Sequence, residues 1–243
     1  MYLIFINDFV FMIIVFLLAL FLSLLITLVY YYTNYVKESS RQKKWVYDEL
    51  NENAKHGSTV FLGDSLTDFY RTSEFFLNFN IYNRGIAGDS TDDILRRIET
   101  NVINIKPSKL FLQIGTNDLG YRKKPDYVIK NIEKIIDLLQ QKVEGIDIYL
   151  ISLYPVNHQV ISLSKIIVGL RKNSDINYIN SKLVEMAKEK NINYIDMHQH
   201  LIDEKGNLKK EYTIEGLHIS MIGYIKITEI LEPYVYDSYV SID

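Results

Sequence analysis

The chain has 243 residues, 48% of them hydrophobic and 23% charged, with a formal net charge of -3 and no cysteine. That composition is too apolar for a disordered chain, and the charge leaves no basic footprint for nucleic acid. The missing thiols exclude disulfides, thiolate metal sites and cysteine nucleophiles.

The first predicted element is a membrane span. From Phe9 to Val36 no residue is charged, a run longer than the roughly 20 residues with which a helix crosses the hydrocarbon layer. Tyr30, Tyr31 and Tyr32 fall where an aromatic belt would sit, and Lys37, Arg41, Lys43 and Lys44 follow as a basic flank. Residues 1–36 are therefore expected to form an uncleaved, single-pass anchor in the cell membrane. A cleavable signal peptide would show a basic n-region, a shorter apolar core and a small-residue cleavage site, and none is present. Residues 37–57 are polar, with both signs of charge around Trp45 and Tyr47. They read as a juxtamembrane helix or linker, leaving residues 58–243 as one folded domain.

Within that domain, short apolar runs rich in β-formers alternate with helical patterns. Thr59 to Leu62, Ile81 to Asn83, Leu110 to Ile114, Ile148 to Ser152 and Asn193 to Ile195 are the strand candidates. Thr91 to Asn101, Pro125 to Lys142, Ser174 to Lys190 and Met221 to Leu231 carry helical periodicity, with Pro125 suited to a first turn. Alternating strands and helices predict a five-stranded parallel sheet covered on both faces, a three-layer α/β/α arrangement with right-handed crossovers. Ligand sites in such sheets lie beyond the carboxyl ends of the strands. Pro155 to Arg171, the least patterned connection, is a candidate substrate-contacting segment.

Four pieces at such positions carry chemistry. The first strand runs into Gly63-Asp64-Ser65-Leu66, which puts a hydroxyl where a helix can begin. Backbone N–H groups there stabilise negative charge. Asn83-Arg84-Gly85-Ile86-Ala87-Gly88-Asp89 follows the second strand as a glycine loop able to aim an N–H inward. The third strand ends in Gly115-Thr116-Asn117-Asp118, where the Asn117 amide can donate to an oxyanion. Glu215-Gly216-Leu217-His218 supplies a base and a carboxylate to orient it, as a serine nucleophile requires. Each piece alone also reads as ordinary capping or turn chemistry. Their joint placement at strand ends is what favours a shared site.

Together these blocks resemble the SGNH (GDSL-type) hydrolase family, whose pattern is a GDS serine, a glycine loop, GxND and DxxH. The match runs from Thr59 to about Tyr224 and looks closest to bacterial relatives of the platelet-activating-factor acetylhydrolase catalytic subunits. The resemblance implies a flavodoxin-like SGNH fold. It also implies Ser65 as nucleophile, His218 as base, and an oxyanion hole made by the N–H groups of Ser65 and Gly88 with Asn117. Gly63, Asp64, Gly85 and Asp118 would support the motifs. One departure is Glu215, which stands where the family has Asp.

The expected activity is hydrolysis of short-chain acyl esters, chiefly acetyl, on a glycan or lipid, with no cofactor. Acyl transfer by the same site, or a catalytically silent envelope-binding domain, are the alternatives. His198 and His200 alternate as a metal pair might, but no evident carboxylate set completes a site, so no metal is expected. The positive-inside rule places the domain in the cytoplasm, whereas relatives that trim envelope polymers act outside. The sequence leaves both the side and the oligomeric state open.

Overall fold

The computed structural model describes residues 2–77 and 79–236. In chain order the elements are α1 (Tyr2–Asn51), β1 (Thr59–Gly63), α2 (Ser65–Asp68), α3 (Thr72–Phe75), β2 (Ile81–Gly85) and α4 (Thr91–Asn101). They continue as β3 (Lys109–Gln113), α5 (Thr116–Gly120), α6 (Pro125–Lys142), β4 (Asp147–Ile151), α7 (Ser164–Val168), α8 (Asn173–Glu189), β5 (Asn193–Ile195), α9 (His198–Leu201) and α10 (Met221–Tyr236). The five strands form one parallel sheet in the order β2-β1-β3-β4-β5, as the alternating pattern predicts.

The middles of the central strands are apolar because both faces are covered, yet the two faces differ in kind. Register places Val60, Leu110 and Ile148 in one row, Phe61, Phe111 and Tyr149 in the next, and Leu62, Leu112 and Leu150 in the third. Successive side chains on a strand point to opposite faces. The aliphatic rows pack with Ile94 and Ile98 of α4, Ile132 and Ile136 of α6, and Ile176 and Leu183 of α8. The aromatic row packs with Leu66 of α2, Leu201 of α9, and Tyr224 and Ile227 of α10. Phe61 and Phe111 stack with centroids 4.6 Å apart, and Phe111 and Tyr149 at 4.8 Å. Such pairs each add about 0.5–1.5 kcal/mol beyond area burial. Strand order reverses between β1 and β3, so the carboxyl ends of these two strands open a crevice.

The chain divides into two compact units, Met1–Lys43 and Lys44–Asp243. From Asp8 onward α1 is long and apolar enough to cross a membrane, and its apolar side chains, Phe9 to Val29 among them, are exposed. Residues 37–57, expected to be a juxtamembrane helix or linker, are helical as far as Asn51. The last turns of α1 belong to the second unit.

Those turns are held mainly by polar contacts, which hydrophobic periodicity does not register. Tyr47 is buried and its hydroxyl donates to Gly85 O at 3.0 Å. Asn51 Nδ2 donates to Thr100 O and Asn101 Nδ2 to Asp48 Oδ1, both at 2.7 Å. The Arg84 guanidinium lies 4.7 Å from the Tyr47 ring centroid and donates through Nε to Asn51 Oδ1 at 3.2 Å. Helix α10 also runs past its expected end at Leu231, through Pro233 to Tyr236. Burial of Val235 and contact between the Tyr236 and Phe79 rings, 4.8 Å apart, outweigh the hydrogen bond lost at proline.

A chain beginning at Ser58 should accordingly be less stable than one beginning at Lys44. With four hydrogen bonds at roughly 1 kcal/mol net each and about 0.5–1 kcal/mol for the cation–π contact, the difference should be about 4–5 kcal/mol. Chemical denaturation of the two proteins measures it, and coincident curves would show that residues 44–57 contribute nothing to the fold.

Candidate active site

Strand β1 delivers its carboxyl end into a tight corner. Asp64 caps α2, its Oδ1 accepting from Leu66 N at 2.9 Å, and Ser65 is the first residue of that helix. Ser65 is 6% exposed, and among the described residues its hydroxyl makes no hydrogen bond. The corner is fixed from α10, whose Tyr224 hydroxyl donates to Leu66 O at 2.9 Å. Asp64 is fully buried, and its Oδ2 has no hydrogen-bond partner among the described residues. Burial pushes its pKa up to about 7, against the opposing pull of the Leu66 N–H and the Arg171 charge.

The glycine loop after β2 lies against this corner. Ile86 N donates to Gly63 O at 3.2 Å, and Ala87 N to Asp68 Oδ2 at 2.9 Å. Gly88 has φ +88, a conformation that L side chains rarely adopt, and its carbonyl accepts from the Tyr121 hydroxyl at 3.0 Å. Asp89 pairs with Arg97 Nε at 2.6 Å, both side chains being buried, while Arg97 Nη2 donates to Gly63 O at 3.1 Å. Burial moves the Asp89 pKa up to about 6 although Arg97 opposes the shift.

The turn after β3 presents the third piece. Asn117 Nδ2 donates to Asp89 O at 3.0 Å, and Asn117 Oδ1 accepts from Arg171 Nη2 at 2.8 Å. Both contacts agree on the orientation of the amide. Asp118 faces away into the fold: its carboxylate accepts from Thr91 N at 2.9 Å and from Thr91 Oγ1 at 2.6 Å. It ties this turn to the start of α4.

Near the C-terminus, Glu215 Oε1 meets His218 Nδ1 in a short hydrogen bond and also accepts from His218 N at 3.1 Å. The turn that brings them together needs Gly216. Its φ is +105, and a Cβ would lie 1.9 Å from Asn157 O. Asn157 N donates to Gly216 O at 2.8 Å, and Thr213 Oγ1 donates to His218 O at 2.7 Å. The Glu215 side chain is buried, whereas His218 remains partly open. The His218 ring lies 5.5 Å from the ring of Phe69, the residue that closes the Ser65 helix.

Ser65, the Gly85–Gly88 loop, Asn117, and the Glu215–His218 pair thus meet through direct contacts of their loops at the carboxyl edge of the sheet. Gly63 sits at the strand end, where a Cβ would meet Thr67 Oγ1 at 2.1 Å. Tyr121 and Arg97 carry no signal in the sequence that marks them for the site, whereas Arg171 ends the Pro155 to Arg171 segment expected to contact substrate. His198 and His200 are in α9. No group of three His, Asp or Glu side chains among the described residues is arranged to hold a metal ion.

Comparison with known proteins is consistent with this geometry. Residues 61–225 match the model of the GDSL-like lipase/acylhydrolase family. A Streptococcus pneumoniae protein described as a platelet activating factor superposes with a TM-score of 0.80 at 30% identity, over 86% of this chain and 98% of its own. The bovine platelet-activating factor acetylhydrolase IB subunit alpha1 is 24% identical over 182 residues, 73% of this chain and 74% of that protein. An acetylxylan esterase from Geobacillus stearothermophilus shares the fold at 18% identity, with a TM-score of 0.57 over 74% of this chain and 95% of its own.

The Asp64 environment sets a pH dependence. Its ordinary pKa is 3.8 and its folded value about 7, so between them the native state keeps a proton that the unfolded chain has released. Stability should therefore fall as pH rises from about 4 to about 7 and stay low above that range. Asp89, raised to about 6, adds to the same slope. Asp64→Asn keeps the acceptor for Leu66 N and removes the titration. Its melting temperature should change less between pH 5 and pH 8 than that of the wild type, and the variant should be the more stable at pH 8. Parallel pH profiles would refute this account of Asp64.

Proposed function

The chain belongs to the GDSL-like lipase/acylhydrolase family, and from that membership we propose that it is a membrane-anchored serine esterase releasing short acyl groups, acetyl above all, from a glycan or lipid. The observation that carries this reading is the buried Glu215 carboxylate bound to His218 Nδ1. It fixes the imidazole tautomer with Nε2 free to accept a proton.

In the proposed reaction Ser65 Oγ attacks the ester carbonyl carbon while His218 Nε2 takes the hydroxyl proton. The developing oxyanion is received by the Asn117 Nδ2–H and the backbone N–H groups of Ser65 and Gly88. Collapse breaks the ester C–O bond, and His218 returns the proton to the departing alcohol. Water then attacks the acyl-enzyme by the same route, releasing the acid and restoring Ser65. Every group required belongs to the chain, and no cofactor enters. Glu215 is one methylene longer than the aspartate of the family pattern. The Gly216 turn accommodates it, since one Oε1 serves both His218 Nδ1 and His218 N.

The acetyl preference is supported by the relatives: the bovine enzyme is named an acetylhydrolase and the Geobacillus protein an acetylxylan esterase. Anchoring is supported by α1, whose exposed apolar surface is what a bilayer would cover. Residues 1–36 would be the anchor and residues 58–243 the hydrolase sequence proper.

Hydrolysis of p-nitrophenyl acetate, butyrate and octanoate tests the proposal. Turnover should fall with chain length. Ser65→Ala should lower kcat by several orders of magnitude, and Asn117→Ala by about 10²–10³-fold. A folded Ser65→Ala variant with wild-type turnover would eliminate the serine mechanism, and faster octanoate hydrolysis would eliminate the short-acyl preference.

A further inference from the structure

We infer that Arg171 is a positioning residue for the oxyanion-binding amide: it holds Asn117 in the single orientation that turns an N–H toward the reacting carbonyl, and its charge strengthens that N–H as a donor. The inference rests on the proposed role of Asn117 and extends it to a residue in the irregular connection before α8.

The chemistry of the two side chains makes the orientation unambiguous. An Asn amide rotated by half a turn exchanges its oxygen for its nitrogen, and a carbonyl oxygen facing the site would repel an oxyanion. A guanidinium has donors only, so the atom that meets Arg171 Nη2 at 2.8 Å must be Oδ1. Nδ2 is then forced to the other side, where one N–H goes to Asp89 O at 3.0 Å. An Asn amide carries two N–H donors, so the second is left for a ligand. A cation bound to the amide oxygen draws electron density from the nitrogen and makes its remaining N–H a stronger donor.

The surroundings of Arg171 are unusual for a buried cation. It is only 8% exposed. Its other donors go to uncharged backbone oxygens: Nε to Thr116 O at 2.9 Å, and Nη1 to Val168 O at 3.0 Å and Ile167 O at 3.4 Å. No carboxylate lies within ion-pair distance of it among the described residues. A buried charge with no ion-pair contact is costly, and the Asp64 carboxylate acts on it only through space, which argues for a role beyond packing. The chain also makes room for it: a Cβ on Gly120 would lie 2.6 Å from Arg171 Cζ, so the guanidinium rests on a bare glycine of the same short helix that carries Asn117.

The test is a double-mutant cycle in the full-length protein, using Arg171→Gln and Asn117→Ala with p-nitrophenyl acetate as the probe. Arg171→Gln should lower kcat at least tenfold, approaching the roughly 10²–10³-fold loss of an oxyanion donor, with KM within about twofold. In the Asn117→Ala background the same change should cost less than about twofold, because the amide it positions is gone. Equal losses in both backgrounds, or an unchanged kcat, would overturn the inference. Should Arg171→Gln fail to fold, Gly120→Ala displaces the guanidinium while leaving both partners in the sequence. A fall in kcat that disappears in the Asn117→Ala background supports the inference, and no fall, or the same fall in both, overturns it. An Asn117→Ala enzyme with wild-type kcat would instead remove the parent reading.

Discussion

The Arg97 guanidinium is the contact on which the arrangement of the site depends. Its Nε meets the Asp89 carboxylate, its Nη2 the carbonyl of Gly63, and its Nη1 the Asn101 side chain. One planar cation thereby joins the end of β1, the glycine loop and the body of α4. The Asp89 main chain then passes the connection on, since its carbonyl receives the Asn117 amide. Both members of the ion pair are buried, so removing either would leave an uncompensated charge, a loss that typically reaches 3–5 kcal/mol. The loops at this edge cannot use sheet hydrogen bonds, and this network supplies the partners that their buried polar groups need.

Around that network lie two more buried ionisable groups, Asp64 and Arg171. Asp64 and Arg171 influence each other electrostatically, the cation lowering the pKa of the acid and burial raising it. Near neutral pH Asp64 is therefore close to its own titration, and the positive charge behind Asn117 is only partly balanced. A site with that balance of charge is electrostatically suited to the oxyanion step of the proposed reaction.

The sheet was legible in the sequence because buried parallel strands write themselves as short apolar runs, and all five lie where those runs lie. Helices α4 and α6 match their patterns from Thr91 to Asn101 and from Pro125 to Lys142. The loops bearing Ser65, Gly88, Asn117 and His218 were legible because glycine, hydroxyl, amide and imidazole residues recur directly beyond strands or before a helix. What escaped notice was held by polar contacts between segments distant in sequence. Tyr47 and Asn51 bind Gly85 and Thr100, Tyr121 binds Gly88, and Arg171 binds Asn117. None of these pairs leaves a periodicity, and a lone Arg or Tyr in a helix or loop looks the same whether its end is solvated or buried.

Ser65 and His218 come from opposite ends of the folded domain, and the aromatic face of the sheet is what brings them to one edge. Helix α10, which follows His218, lies against the segment that follows Ser65. The Tyr70 and Tyr224 rings stack at 5.1 Å, Tyr70 Oη is 2.7 Å from Thr228 Oγ1, and the Tyr224 hydroxyl reaches Leu66 O. These partners are 158 residues apart for both hydrogen bonds, so the contacts close a long loop. The site is complete only when α10 is packed against the Ser65 segment, through contacts that are among the most non-local of the fold.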